Sequence, residues 1–405
     1  MSKLVTASRL DNVNYDIRGK VQQEANHMIA EGIDVLKLNI GNPAAFQMWA
    51  PPHTHDAIRE HLQEAEGYSD SRGLLVARQA VADYCVKRKR IEGVTADDVF
   101  MGNGVSELIQ MTLTALLNKG DEVLIPSPDY PLWTACVILE QGTPVYYACD
   151  EESDWNPDIA DIRRKITDKT RAIVLINPNN PTGAIYDDEA LKEIAQIARE
   201  HDLIILSDET YDRVIMDGLP HTSIAALAPD VVTLTFNGLS KSHRLCGYRV
   251  GWVVVCGPKE GTEEFREGLY LLASMRLCAN VNGQYVVPDA LADEGPDPVM
   301  MPGGRAWEQR NAIWESINEI PGVSAVKPKA TFYIFPKIDL KKYPIHDDEQ
   351  FALDFLHQKH ILVVNGTGFN WPEHDHFRIV FLAEAEKLRY AARELGDFLE
   401  GYHQD

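Results

Sequence analysis

Short apolar runs punctuate the middle of the chain: EVLIP (122–126), AIVLI (172–176), LIIL (203–206), VVTLTF (231–236) and GWVVV (251–255). Their length suits strands, and their apolarity suits strands buried on both faces. Between the second and third runs, Leu191, Ile194, Ala195 and Ala198 recur at i, i+3, i+4, i+7, the stripe of an amphipathic helix. Strand and helix in alternation predict an α/β fold with a mostly parallel sheet covered by helices. Beyond residue 300 the texture changes. FYIFP (332–336), ILVV (361–364) and FRIVF (377–381) are separated by the helical stretch 347–360, and a last helix aligns Leu388, Ala392, Leu395 and Leu399. These elements predict a smaller α+β domain over 296–405 beside a large domain over 46–295. Residues 1–45 show no sheet of their own and are expected to form an arm joining the small domain.

The chain has 405 residues, room for two such domains. Its formal net charge of −22 argues against nucleic-acid binding, which needs a basic face. An anionic small substrate is not excluded, because a few buried arginines can dominate a local pocket. Cysteines 85, 136, 149, 246, 256 and 278 show no metal-ligand spacing, so reduced core thiols and no metal site are expected. The stretch MSKLVTASRL holds no apolar signal segment, and no apolar run approaches the roughly 20 residues that span a bilayer. A cytoplasmic protein without a membrane partner is expected.

Where the apolar runs stop, polar residues begin. AIVLI runs into NPNNPTG (177–183), LIIL into SDETYD (207–212) and VVTLTF into NGLSK (237–241). A fourth junction, GNGVSE (102–107), joins the strand-like VFM to a helix and would offer backbone N–H groups at a helix N-terminus. Ligands of parallel α/β sheets bind beyond the carboxyl ends of the strands, so an anion site, an Asn, an Asp, a Tyr and a Lys should converge in one crevice. A lysine amine forms a Schiff base with an aldehyde, and an Asp keeps a pyridine nitrogen protonated. Asn and Tyr favour a phenolate oxygen, and a helix N-terminus with an arginine holds a phosphate. Pyridoxal 5′-phosphate (PLP) carries all four of those groups.

From YDIRG (15–19) to FRIVF (377–381) the chain resembles the class I, fold-type I aminotransferases. Within them it is similar to the bacterial glutamate–pyruvate (alanine) group, through LKLNIGNPA, MGNGVSE, PDYPLWTA, INPNNPTGA, TFNGLSK, LASMRLCANV and DHFRIV. The resemblance implies that Lys241 is the Schiff-base lysine and the base that moves the substrate α-proton. It implies that Arg249 binds the phosphate with Gly104, Val105 and Ser106, and that Asp208 pairs with the ring nitrogen. Asn180 and Tyr211 would meet the phenolic oxygen, while Tyr130 stacks on the ring. Tyr68 would reach the partner subunit's phosphate, which implies a homodimer with shared sites. Arg378 would grip the substrate α-carboxylate, and Gly41 would let the backbone come close to the substrate. The implied reaction is a ping-pong exchange between L-alanine/pyruvate and 2-oxoglutarate/L-glutamate.

The sequence departs from this pattern at three places. Gly238 stands where relatives carry Ser three residues before the lysine, leaving Ser240 as a candidate for that hydroxyl. Arg244 replaces a small residue, and Asn282-Gly283 replaces Pro-Ala. Glutamate brings a second carboxylate, costly to bury unpaired. Arg18, near Tyr15 in the YDIRG stretch, is the expected partner, and Arg276 is its rival.

Plainer readings stand beside each assignment. NPNNPTG is also an ordinary turn composition, and Asp208 could be a helix N-cap. GNGVSE lacks the third glycine of a dinucleotide fingerprint. Three functional alternatives remain at this level: another PLP reaction such as a C–S lyase or a different amino-acid specificity, a PLP-sensing regulator, and a non-catalytic homologue. A regulator would need a DNA-binding extension, for which the chain has no spare length.

Overall fold

A computed structural model describes residues 4–11, 13, 15, 19–292 and 295–404. Nine strands occupy its first two thirds: β1 (Leu36–Lys37), β2 (Val99–Gly102), β3 (Glu122–Ser127), β4 (Thr143–Asp150), β5 (Asn156–Pro157), β6 (Thr170–Ile176), β7 (Ile204–Asp208), β8 (Thr233–Gly238) and β9 (Gly251–Cys256). All but β1 join one sheet of order β2-β9-β8-β7-β6-β3-β4-β5. From β4 through β3, β6 and β7 to β8 the pairing is parallel, whereas β9 runs antiparallel to both β2 and β8. The sheet is thus mostly parallel, as the unbroken apolar runs require.

Alternation along β6 shows how both faces are covered. Ile173 and Leu175 pack with Leu191, Ile194 and Ala198 of helix Asp188–His201. Ala172, Val174 and Ile176 point the other way, against Leu108, Ile109 and Leu113 of helix Val105–Leu116 and Trp133 of helix Leu132–Leu139. All of these side chains are buried, each contributing about 1.5–3 kcal/mol for the larger ones through loss of apolar surface to water. The sequence pattern misses β4. Its eight residues hold an apolar run, VYYAC (145–149), but begin Thr-Pro and are only partly buried.

Residues after 300 build helices Arg305–Asn318, Asp348–Lys359 and Ala385–Glu400 against short strands. These strands are β10 (Val323–Ser324), β11 (Tyr333–Ile334), β12 (Lys337–Ile338), β13 (Ile361–Leu362), β14 (Val364–Asn365) and β15 (Phe377–Val380). β11 and β14 flank β15 antiparallel, so FYIFP and ILVV yield two-residue strands where longer ones were expected. Asp347 caps its helix by accepting from the Gln350 amide at 2.9 Å, and His360 ends it in the left-handed region at φ 55°. The last helix buries Leu388, Ala392, Leu395 and Leu399 in the same core as Phe351 and Phe355. Near the N-terminus, β1 pairs parallel with β13, and Val21, Ala25 and Met28 of helix Lys20–Ala30 enter that core too.

What matters for function is the edge at which the parallel strands end. β6, β7 and β8 deliver Asn177, Asp208 and Gly238 to it, β2 delivers Gly102, and β9 begins there at Gly251.

Candidate active site

Asp208 is the last residue of β7 and is buried. Its Oδ1 accepts from the amide and hydroxyl of Thr210 at 3.1 and 2.7 Å, and its Oδ2 from Trp133 Nε1 at 3.3 Å. Burial pushes its pKa up, against the pull of those donors. Lys241 rises from the neighbouring strand, three residues past the end of β8 in the single turn Leu239–Ser242. Its Nζ donates to the Gly41 carbonyl at 2.5 Å and lies 3.8 Å from Cys246 Sγ. A side chain on Gly41 would collide with the Tyr333 hydroxyl, so glycine is required where this backbone meets the amine. Tyr333 in turn shares a hydrogen bond of 2.8 Å with Tyr211, three residues after Asp208. Acid, amine and phenol therefore stand near one another at the same edge of the sheet.

The anion cradle forms where β2 turns into helix Val105–Leu116. Gly104 takes φ +84°, a conformation that only glycine adopts without strain, and a Cβ there would strike the Arg249 guanidinium. Arg249 donates from Nη1 to the Cys246 carbonyl at 3.0 Å and from Nη2 to the Asn103 carbonyl at 3.3 Å, leaving it exposed at the helix N-terminus. Val105 is half-buried and Ser106 exposed in the helix's first turn. Ser240 is half-buried beside Lys241. A Cβ on Gly238 would sit 2.5 Å from the Val250 carbonyl oxygen, so this backbone leaves no room for a serine there.

Arg378, in β15, is buried and lies 4.4 Å from the ring centroids of both Tyr333 and Phe369. Its Nη1 donates to Asn180 Oδ1 at 2.9 Å and its Nη2 to the Asn39 carbonyl, while its buried Nε has no partner. Among the described residues no carboxylate pairs with it. Burial lowers its pKa. A buried cation with a spare donor and no counter-charge is a binding site for an anion, because leaving it unpaired costs several kcal/mol, roughly. Asn180, within the NPNNPTG turn, thereby ties that turn to the cation.

Tyr15 brings the N-terminal segment in: its hydroxyl lies 2.8 Å from that of Tyr130, and the rings meet edge to face. Arg18 lies outside the described residues. Arg276, its rival, has Nε 3.3 Å from Glu107 and donates to the Met101 carbonyl at 2.7 Å. Arg244 anchors the loop after the lysine, donating to the Trp49 carbonyl at 2.8 Å and pairing with Asp297. Gly283 lies so close to Val250 and to the Tyr248 carbonyl that an alanine would crowd them. Tyr68 is 82% exposed on this chain. Trp133, Tyr333, Phe369 and Asn39 escaped the sequence reading. Trp133 ends the PDYPLW stretch that also holds Tyr130, so its aromatic character was the available signal.

Residues 33–395 match the family described as aminotransferase class I and II, and the chain belongs to it. It is an aminotransferase by family and by the layout of its site. It is 53% identical over its full 405 residues, and over the whole of the relative, to the glutamate-pyruvate aminotransferase AlaA of Escherichia coli (strain K12). Identity to the alanine aminotransferase of Mycobacterium tuberculosis (strain H37Rv) is 52% over 399 residues, 98% of this chain and 93% of that one. The crystal structure of an aminotransferase from E. coli superposes with a TM-score of 0.97 at 53% identity, covering both chains completely. An alanine aminotransferase from Pyrococcus furiosus gives 0.91 at 39% identity, over 98% of this chain and 100% of that one.

Proposed function

We propose that this aminotransferase uses PLP to exchange the amino group between L-alanine/pyruvate and 2-oxoglutarate/L-glutamate in two half-reactions. Its relatives named for those substrates support the choice, and the observation that carries it is Arg378, a buried guanidinium without a carboxylate partner among the described residues. The residues fit the cofactor. Asp208 is a desolvated carboxylate for which a cationic ring nitrogen is the natural counter-charge. Tyr211 and Asn180 offer donors to a phenolic oxygen, and Tyr130 offers a ring to stack on it. Gly104, Val105, Ser106, Ser240 and Arg249 would hold the phosphate at a helix N-terminus.

When bound, PLP supplies an aldehyde for the amine and a ring that withdraws electrons from the substrate Cα. Lys241 would take the proton from that carbon and deliver it to the carbon that had carried the aldehyde. Asp208 keeps the ring nitrogen protonated while it does so. Arg378 holds the α-carboxylate bidentately, and Asn180, hydrogen-bonded to it, sets the guanidinium plane. Gly41 and Tyr15 close the substrate side, and we assign the second carboxylate of glutamate to Arg18, since Arg276 already faces Glu107.

We further propose a homodimer with shared sites, in which Tyr68 reaches the partner's phosphate. Leu271, Met275 and Leu277 are exposed apolar residues, and Ser71 donates to the Leu277 carbonyl at 2.7 Å. The division into an arm (1–45), a large domain (46–295) and a small domain (296–405) is part of the same proposal, as is a cytoplasmic location. No described helix is long and apolar enough to cross a membrane.

The test is a half-reaction survey. Purified enzyme loaded with PLP is mixed with each amino acid in turn, and loss of the visible absorbance is followed. Alanine and glutamate should bleach it fastest. A profile in which neither reacts while others do would overturn the substrate assignment, and ammonia released without an added oxoacid would mark a lyase.

A further inference from the structure

The DETYD turn after β7 divides its side chains between two sides of the protein. Asp208 and Tyr211 face the crevice, whereas Glu209 and Asp212 point away from it and are also buried. Lys89, just past helix Leu75–Lys87, reaches both: its Nζ pairs with Glu209 and lies 2.9 Å from Asp212 Oδ2. Its side chain is 6% exposed, and those of Glu209 and Asp212 are 1% and 2% exposed, so the three charges are desolvated together. Hydroxyls supply further donors, although Asp212 Oδ1 has no hydrogen-bond partner. Ser207 and Ser223 donate to Glu209 Oε1 at 3.0 and 2.6 Å, and Tyr84 donates to Asp212 Oδ2 at 2.8 Å. His221 lies beside this cluster and hydrogen-bonds the Asn177 carbonyl at 3.0 Å, at the head of the turn that carries Asn180.

Three carboxylates within five residues repel one another, and this repulsion is strongest in a dry interior. Without a cation on the hidden side, Glu209 and Asp212 would turn toward water and take the backbone of the turn with them. Burial disfavours the charge on Lys89, but Asp212 and Glu209 outweigh it and hold the ammonium well above its usual range. The same contact holds Asp212 at about 2 against the opposing effect of burial.

We propose that Lys89 is a positioning residue for the cofactor: tying Glu209 to Asp212 behind the turn fixes Asp208 and Tyr211 in front of it. This rests on the PLP reading given above and extends it to a residue that touches neither cofactor nor substrate. The clamp sets where the Asp208 carboxylate stands, and hence how well it meets a ring nitrogen. Small displacements of such a group cost roughly tenfold to a hundredfold in the interaction it makes.

The experiment compares two ligands of the full-length apoenzyme, PLP and the analogue with carbon in place of the ring nitrogen, by quenching of tryptophan fluorescence. Wild type should bind PLP the more tightly, since only PLP engages Asp208. Lys89→Met should weaken PLP roughly tenfold or more and leave the analogue nearly unchanged, so that the difference between them collapses. Lys89→Arg, which keeps the charge, should recover most of it. Equal weakening of both ligands, or no weakening of either, would overturn the clamp. If Lys89→Met does not fold, the uncharged triple variant K89M/E209Q/D212N carries the same comparison. It should fold and show the collapsed difference, and full discrimination in it would sink the proposal. Wild-type apoenzyme that binds neither ligand would instead refute the cofactor reading, and the clamp with it.

Discussion

Arg310 and Arg378 are both among the largest fully buried side chains, yet the fold treats them in opposite ways. Arg310 sends Nη1 and Nη2 to Asp217 at 2.5 and 3.0 Å, Nε to Asn311 at 3.1 Å and Nη1 also to the Pro328 carbonyl. Its charge is neutralised and its donors are used. Arg378 has two neutral oxygens, two aromatic faces and an idle Nε. Burial alone therefore does not separate a structural cation from a functional one. The counter-charge does, because a protein keeps an unpaired buried guanidinium only where a ligand will complete it. The Lys89 cluster lies on the Arg310 side of this divide, with two carboxylates on one ammonium.

The sharpest way to break the comparison is to remove each arginine. Arg378→Met should lower kcat/KM by roughly a hundredfold to a thousandfold, with the melting temperature held or raised, since no carboxylate is orphaned. Arg310→Met should do the reverse, costing about 1–3 kcal/mol of stability and leaving kcat/KM unchanged. The lower figure reflects Asp217, whose side chain is 37% exposed. Paired thermal melts and steady-state kinetics decide it, and matching losses in both variants would erase the distinction.

Asp129 tests the idea from the acid side. It is buried with no cation beside it among the described residues, accepting from Asn370 at 2.7 Å and Thr134 at 2.9 Å, and burial pushes it up to about 7. A carboxyl raised in the folded state favours folding at low pH, and that contribution is lost as pH rises from about 4 through 7. Asp129→Asn should remove this slope, gaining about 1–3 kcal/mol over wild type at pH 8 and little at pH 4. Urea midpoints across that range measure it; parallel curves for the two proteins would show that Asp129 does not titrate there.

The smallest effect is expected at Tyr15. Losing its hydroxyl contact with Tyr130 in Tyr15→Phe should raise KM about two- to tenfold, with kcat nearly constant. An unchanged KM would place the N-terminal segment outside the substrate's reach.

Much of this was legible in the linear chain. Hydrophobic runs depend on neighbours in sequence, and so β3, β6, β7, β8 and β9 stand within a residue or two of where periodicity put them. The polar clusters that end those runs are equally local, which is why Asn180, Asp208, Tyr211 and Lys241 could be named together before any fold was known. β4 was not among the expected strands although VYYAC (145–149) is apolar; its Thr-Pro start and partial burial set it apart from the central strands.

Other features depend on residues far apart in the chain. Tyr333 lies 122 positions from the tyrosine it bonds, and Asn180 lies 198 from Arg378. Lys89 lies 120 from Glu209, and nothing in KRKR distinguishes it from its solvated neighbours. Sequence by itself determined which side chains could do the chemistry, since composition and spacing select reactive types and the strand ends that bear them. Tertiary structure alone decided which charges are paired and which are left for a ligand, because desolvation and counter-charge are properties of the space around a side chain.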